Sequence, residues 1–197
     1  MKQIVQFIED NNISEEEVAK AAHMSLRNFR RQIHSEDRTQ TRIVLILADY
    51  NHQSIDSIFF DQMYNQPINL EGLTWNQVQD IMKLIHPELF TDIKRSSKFK
   101  DFEYNLKNDM GDRMRFIREV VFSLSQTQFG KYMEVTRNTA KYWDEGQINV
   151  DKILKILQRT NISMDFMIRD NYPLTLQTQD MSEALYLAVM TNCVLYR

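Results

Sequence analysis

The sequence predicts a nearly all-α fold. Only 4 of its 197 residues are glycine and 3 are proline, whereas Ile, Leu, Gln, Lys, Glu and Met are abundant. This composition favours helices over folds with many turns. Apolar side chains also recur with the three- and four-residue spacing of a helix face in several segments. With 43% hydrophobic residues, the chain can bury one sizeable core or two small ones.

An internal repeat predicts how these helices are organised. Residues 13–35, ISEEEVAKAAHMSLRNFRRQIHS, align without a gap to residues 124–146, LSQTQFGKYMEVTRNTAKYWDEG. The similarity continues downstream, where Asp56 lies near Asp165 and Pro67 meets Pro173 in the alignment. We therefore predict a duplicated five-helix unit with a trailing helix. The predicted segments are a first unit at 1–60, a helical connector at 61–110, a second unit at 111–170 and a C-terminal helix at 171–197.

Each copy carries signals for a helix that starts, stops and restarts within a few residues. A serine followed three residues later by Glu or Gln predicts a capping box, and the two pairs are Ser14 with Glu17 and Ser125 with Gln128. Ser25 and Thr136 predict the N-caps of the next helices. So short a break makes two helices cross steeply, as in a helix-turn-helix. Ala19 and Gly130 are small where the second helix would press on the first.

The second copy contains a set of residues typical of one protein family. The set is Leu124, Ser125, Gln126, Phe129, Gly130, Met133, Val135, Thr136, Trp143, Asp144 and Gly146. In this pattern the chain resembles the lambda-repressor/Cro-like (Xre) helix-turn-helix family over 112–170 and, more loosely, over 3–60. The resemblance implies tandem five-helix lambda-repressor-like helix-turn-helix domains joined by a helical segment.

The chain departs from the family pattern at two places. Glu134 stands where these proteins usually have a glycine in the turn, which predicts either strain at this residue or a turn of different shape. In the first copy Glu15 stands where the second copy has Gln126, and Gln32 and Ile33 replace the Trp-acid pair. We therefore expect the first copy to have the fold of the family but to lack some of its DNA contacts.

The resemblance also implies a brace between the first and third helices of the second unit. Arg118 and Asp144 would form this ion pair on the buried side. The alternative for the neighbouring charges is an ordinary surface pair between Arg115 and Glu119, at the i,i+4 spacing. Seven apolar residues of this unit are predicted to be core, namely Phe116, Leu124, Phe129, Trp143, Ile153, Ile156 and Leu157.

The resemblance implies that the third helix of each unit enters the major groove of DNA. The implied contact residues are Thr136, Arg137, Asn138, Lys141 and Tyr142, with Gln126 against a phosphate, and in the first copy Ser25, Arg27, Asn28, Arg30 and Arg31. Their chemistry suits this role, since Arg bonds guanine, Asn bonds adenine and a Thr methyl packs on thymine. Segment 111–170 is also the only one with more basic than acidic residues, ten against eight. The alternatives are a solvated polar face or a protein-binding face.

Other classes of function find little support in the sequence. The isolated histidines His23, His34, His52 and His86 lack metal-ligand spacing. No glycine-rich phosphate loop is present, and the lone Cys193 lies in an apolar stretch typical of a packed thiol. We expect no enzymatic activity, metal or cofactor. The longest apolar run, 43–48, is too short for a membrane span of about 20 residues, and the start resembles no signal peptide, so we expect a cytoplasmic protein without membrane contact.

The function expected from these observations is a sequence-specific double-stranded DNA-binding transcriptional regulator, a repressor rather than an activator, of the phage or mobile-element type. One alternative is a protein-binding inhibitor, such as an anti-CRISPR protein that blocks a Cas nuclease, with or without repression of its own promoter. A second alternative is an antitoxin.

The segments outside the two units bear on oligomeric state. Thr74 and Gln77 predict a capping box at the start of a helix, and 94–100 is the predicted exposed loop or hinge. The helix predicted at about 180–196 is too apolar for a free surface helix. It either caps its own domain or forms a homodimer, while two units in one chain would also serve as a pseudo-dimer.

Overall fold

The computed structural model describes residues 2–35, 39–60, 67–90 and 104–197. Within these ranges the chain is predominantly helical, as the composition predicted, and it also contains one two-stranded sheet. The predicted loop 94–100 lies outside the described residues. No helix in the described ranges has both the length and the apolar character needed to cross a membrane.

In its described residues, the first part of the chain forms six α-helices, a short strand and a 3-10 turn. They are α1 Lys2–Asp10, α2 Glu15–Ala21, α3 Leu26–Ile33, α4 Thr41–Tyr50, α5 Asp56–Phe59, β1 Ile68–Asn69, α6 Trp75–Ile85 and the 3-10 turn Pro87–Phe90.

The second part has the same order of elements. They are α7 Met110–Phe116, continued by a π-helical turn Ile117–Val121, then α8 Gln126–Tyr132, α9 Arg137–Asp144, α10 Val150–Leu157, α11 Met164–Ile168, β2 Thr175–Leu176 and α12 Glu183–Leu195. Five helices, a strand and a trailing helix therefore occur twice along the chain.

Unusual backbone conformations recur at corresponding places in the two parts. A residue with left-handed backbone conformation lies before the second helix of each part, between the second and third helices, after the fourth helix and before the trailing helix. The corresponding pairs are Asn12 and Ser123, His23 and Glu134, His52 and Asn161, and Gly72 and Asp180. This conformation costs a residue with a side chain about 1–2 kcal/mol. Its recurrence at four corresponding places supports an internal repeat.

The helices enclose a continuous apolar core. All seven core residues predicted for the second part are buried: Phe116, Leu124, Phe129, Trp143, Ile153, Ile156 and Leu157. The rings of Phe129, on α8, and Trp143, on α9, meet edge to face with centroids 6.2 Å apart. This contact joins α8 and α9 through the core.

The capping-box predictions are confirmed in two cases and wrong in part in the third, and the predicted N-caps Ser25 and Thr136 are confirmed. Complete capping boxes start α8 and α6, formed by Ser125 with Gln128 and by Thr74 with Gln77. At α2 the Ser14 hydroxyl accepts from the Glu17 N–H at 3.4 Å, but the Glu17 carboxylate accepts a hydrogen bond from the Tyr50 hydroxyl. The Glu17 side chain is therefore bound by Tyr50 of α4 and does not complete the capping box.

The connector and tail differ from their predicted form because each contains a strand. β1 and β2 pair antiparallel, with Ile68 opposite Leu176 and Asn69 opposite Thr175. Two-residue strands show no alternation of apolar and polar residues, so the sequence did not indicate them. The predicted helix at about 180–196 is confirmed in substance, since α12 begins after its N-cap Ser182.

Helix α12 packs against α6 on one side only. Val189 and Cys193 are buried, which confirms the prediction for the thiol, and burial raises the pKa of Cys193. Leu187 and Val194 are 55% and 69% exposed on the outer side. The helix thus covers the chain's own core and leaves an apolar outer face.

Candidate nucleic-acid interface

Helices α8 and α9 approach closely because Gly130 has no side chain. The Val135 N–H donates to the Gly130 carbonyl at 2.7 Å. A Cβ atom on Gly130 would lie 2.9 Å from the Val135 carbonyl oxygen and 3.1 Å from that of Thr136. These distances are too short for a carbon atom, so the prediction that a small residue is needed here is confirmed.

The turn between α8 and α9 depends on a left-handed residue. Glu134 has φ +57°, and His23 has φ +53° at the corresponding place between α2 and α3. A glycine adopts this conformation without the steric penalty of a side chain. The strain predicted at Glu134 is therefore located in the turn that orients α9.

We expect Glu134→Gly to raise the free energy of unfolding by about 0.5 kcal/mol. Relief of a left-handed penalty of about 1–2 kcal/mol is partly offset by the greater freedom of glycine in the unfolded chain. Urea denaturation measures the change, and the exposed helical control Lys131→Gly should lose about 1 kcal/mol. Equal losses in both variants would contradict strain at Glu134.

All five residues predicted to meet DNA from the second copy are exposed. These are Thr136, Arg137, Asn138, Lys141 and Tyr142. The last four lie at the i, i+1, i+4 and i+5 positions of α9, which form one helix face. The Thr136 hydroxyl caps α9 by accepting from the Thr139 N–H at 3.1 Å. The opposite face buries Ala140, Trp143 and Asp144 in the core.

The charges on this face are accessible. Within the described ranges Arg137 makes no ion pair, and Lys141 makes only an exposed contact of 3.5 Å with Glu145. Arg159 was not predicted from the sequence, and its guanidinium lies 4.8 Å from the ring centroid of Tyr132 on α8. It adds a further cation beside the helix pair.

The predicted brace between Arg118 and Asp144 is confirmed. The Arg118 Nη2 lies 2.8 Å from one carboxylate oxygen of Asp144 and 2.7 Å from Glu119 Oε1. Arg118 also donates to the Leu124 carbonyl at 2.8 Å. Burial alone would lower the pKa of Arg118, but the two carboxylates raise it above its ordinary value. The brace fixes the C-terminal end of α9 against the helix formed by α7 and its π-helical turn.

The neighbouring charges pair differently from the alternative considered. Arg115 lies 3.4 Å from Asp112, whereas Glu119 accepts from the Tyr104 hydroxyl at 2.7 Å as well as from Arg118. In the first copy the residues corresponding to the brace are Phe7 and Ile33, both buried. Two apolar residues of the core thus stand where the second copy has an ion pair.

The structure connects Gln126 to the brace. Its Nε2 donates to the Asp144 carboxylate at 2.8 Å, and the residue is half-buried. The amide group is therefore held at the start of α8 and is not free to rotate. Substituting Gln126 will remove a hydrogen bond to a buried carboxylate in addition to any phosphate contact.

The corresponding face of the first copy is partly engaged in contacts of its own. Arg30 forms an ion pair with Glu15 at 2.7 Å, and Arg31 donates to the Asn28 side chain at 2.8 Å. The Ser25 hydroxyl caps α3 by accepting from the Asn28 N–H at 3.3 Å. Arg27 is exposed and makes no ion pair in the described part of the chain. On this face the ion pair engages Arg30 and the hydrogen bond engages the side-chain oxygen of Asn28, whereas Arg31, like Arg27, makes no ion pair within the described ranges.

The sequence missed a hydrogen-bonded contact that joins the two halves. The first N–H of α5, on Asp56, donates to the Asp165 carboxylate at 3.1 Å. The first N–H of α11, on Met164, donates to the Asp56 carboxylate at 2.6 Å, and the Ser163 hydroxyl donates to it at 2.6 Å. The alignment of Asp56 with Asp165 contained the signal for this pairing.

Two buried carboxylates in one contact affect its ionisation. Burial raises the pKa of Asp56 to about 7. The charge of Asp165 adds to this rise, whereas the hydrogen bonds from the Ser163 hydroxyl and the Met164 N–H oppose it. Arg169 lies on the far side of Asp165, 2.7 Å from that carboxylate. Tyr172 lies in the same electrostatic environment, where burial followed by the two aspartate charges raises its pKa.

Stability is expected to fall as pH rises from about 4 to about 7. Because the folded-state pKa of Asp56 is raised, its contribution is complete below the unfolded value and is lost as pH passes through about 7. Asp56→Asn keeps an acceptor for the Met164 N–H and should flatten this slope. The rise in pKa corresponds to about 4 kcal/mol, and loss of the acceptor for the Ser163 hydroxyl offsets part of it, so we expect a gain of about 2 kcal/mol over the unsubstituted chain at pH 8. Urea melts at several pH values measure both curves, and parallel curves would contradict the assignment.

One histidine lies beside a cavity behind α6. The cavity has a volume of about 330 Å³, and its lining includes His86, Asn161 and Gln177. The His86 Nε2 lies 2.8 Å from the Asn161 amide oxygen. Among the residues that the structure describes, no three His, Cys, Asp or Glu side chains are grouped to hold a metal ion.

Comparison of the chain with family models, curated proteins and solved structures found no match in any of the three.

Proposed function

We propose that the chain is a sequence-specific double-stranded DNA-binding transcriptional regulator, built from two lambda-repressor-like helix-turn-helix domains at 1–60 and 111–170. The observation that carries the proposal is the exposed face of α9, on which Arg137, Asn138 and Lys141 lie together behind a tight turn. In this proposal α9 and α3 are the recognition helices.

The accessible groups of α9 match what reading a base edge requires. Arg137 makes no ion pair among the described residues, so it can reach guanine O6 and N7 without first breaking a protein contact. Asn138 supplies a donor and an acceptor for adenine, and Lys141 supplies charge for phosphates. The buried brace at the end of α9 limits the rotation of this helix and favours one register in the groove.

We propose repression as the mode of regulation, in the cytoplasm. A protein that occupies a promoter blocks access to it by excluded volume and requires no additional contact with the polymerase. Regulation of this kind depends only on the affinity for the site and on its position.

Selection from a random duplex library tests the proposal. The protein should enrich one motif and bind it at least about 10³-fold more tightly than scrambled DNA at physiological salt. Its affinity should also fall steeply as salt rises. Equal affinity for all duplexes would contradict sequence-specific regulation.

A pulldown from host lysate with and without nuclease treatment separates this function from its rivals. A DNA regulator loses its captured proteins when nuclease removes the DNA. An inhibitor of a Cas nuclease, or an antitoxin, keeps a stoichiometric protein partner after the treatment. Retention of such a partner together with a failed duplex selection would contradict the proposed function and favour an inhibitor or an antitoxin.

A further inference from the structure

We infer that a single chain is an intramolecular pseudo-dimer that binds one non-palindromic duplex with two unlike half-sites. The inference rests on the proposed function, because it assigns α3 and α9 to adjacent segments of the same DNA. It follows from how the two halves contact each other and from how their exposed faces differ.

The fifth helices of the two halves meet through reciprocal contacts. The first N–H of α5 donates to Asp165 in the first turn of α11, and the first N–H of α11 donates to Asp56 in the first turn of α5. Each aspartate carboxylate therefore accepts a hydrogen bond from the first N–H of the corresponding helix in the other half. Such an exchange, in which each side gives the other what it receives, characterises an isologous interface.

The strands repeat this reciprocity. Ile68 and Asn69 of β1 face Leu176 and Thr175 of β2 in antiparallel order. Because β1 and β2 occupy the same place in the two halves, antiparallel pairing between them is the pairing that a two-fold axis would produce. Beyond the strands, α6 and α12 also pack together, and the Gln77 side chain donates to the Tyr196 carbonyl at 3.3 Å.

The segments that follow the recognition helices also meet. The Val150 N–H, at the start of α10, donates to the Thr39 carbonyl at 3.3 Å. Thr39 follows α3 and precedes α4, just as the segment before Val150 follows α9. The segments after the two recognition helices therefore meet in the same interface. The inference requires α3 and α9 to contact successive turns of one groove, about 34 Å apart.

The two faces would read different half-sites. On α9, Arg137 and Asn138 are both available to base edges. On α3, Arg30 is held by Glu15 and the Asn28 oxygen accepts from Arg31, so the group that could read adenine is engaged, while Arg27 and Arg31 keep charges without an ion pair among the described residues. We therefore expect strong base preference in the α9 half-site and mainly phosphate attraction, with weak base preference, in the α3 half-site.

The test uses the full chain with the duplex enriched by selection. Native mass spectrometry should find one chain per duplex, and hydroxyl-radical footprinting should show two protected patches on one face, about one helical turn apart. The double variant Arg27→Ala with Arg31→Ala should remove only the α3 patch and lower the salt slope of binding. The double variant Arg137→Ala with Asn138→Ala should remove base preference only in the α9 half-site. Lys83→Ala, on α6, removes a charge outside both faces and should change neither patch.

Three outcomes overturn the inference and leave the proposed function intact. The first is two chains per duplex with a symmetric footprint, which would indicate a homodimer that uses an outer face such as Leu187 and Val194 of α12. The second is a single protected patch. The third is an unchanged α3 patch and salt slope in the Arg27 and Arg31 variant. Failure to enrich any duplex overturns the proposed function itself.

Discussion

Replacing Arg118 with alanine is expected to lower the free energy of unfolding by about 3–5 kcal/mol. The side chain is 3% exposed and contacts the carboxylates of Asp144 and Glu119, which are 4% and 9% exposed. Removing the guanidinium leaves two buried negative charges without their cation. Gln126 and Tyr104 still donate hydrogen bonds to them, but neither donor neutralises the charge.

Urea denaturation at constant pH measures this loss, and two comparisons assign it to the ion pair. Lys83→Ala breaks an exposed pair with Asp80 and should cost less than about 1 kcal/mol. Arg118→Ala combined with Asp144→Ala should cost less than the sum of the two single variants, because the double variant leaves one buried charge fewer. Strict additivity would show that Arg118 acts through packing alone.

The parts of the fold that could be predicted are those coded by neighbouring residues. Ser125 and Gln128 lie three residues apart, and the capping box that they form needs no information from elsewhere in the chain. The spacing of Phe129 and Trp143 likewise placed both on buried helix faces. The brace of Arg118 with Asp144 was expected only through resemblance, since nothing local joins two residues on different helices.

The features that escaped prediction depend on contacts between distant segments. Glu17 has the right spacing for a capping box with Ser14, yet the hydroxyl of Tyr50 binds its carboxylate. Asp56 would read as a surface residue at a helix start, yet Asp165 and its neighbours bury it between the two halves. Each side chain has several acceptable local partners, and tertiary packing decides among them.

The candidate site likewise combines features coded by neighbouring residues with features set by tertiary packing. Exposure of the α9 residues followed from helix periodicity, because the apolar positions fixed which face is buried. The pairing of Arg30 with Glu15, and of Gln126 with Asp144, joins two helices and has no periodic signal. The chemistry of the faces was therefore predictable, and the availability of each group was not.

Arg137→Ala and Asn138→Ala are each expected to weaken binding to the selected duplex by about 1–3 kcal/mol and to relax specificity at one base pair. Both side chains are exposed, so their removal should leave the free energy of unfolding within about 0.5 kcal/mol of the unsubstituted value. Gln126→Ala should weaken all duplexes alike, and it should also destabilise the fold because Asp144 loses a hydrogen bond.

Arg137→Lys separates charge from base recognition at the same position. Lysine keeps the positive charge that attracts phosphates but lacks the planar fork that bonds guanine O6 and N7 together. The affinity for scrambled DNA should therefore stay close to that of the unsubstituted chain, while the preference for the selected duplex falls as in Arg137→Ala. Fluorescence anisotropy measures the affinity for both duplexes. If lysine restores the full preference, Arg137 contacts the phosphate backbone and the base reading must come from other residues of α9.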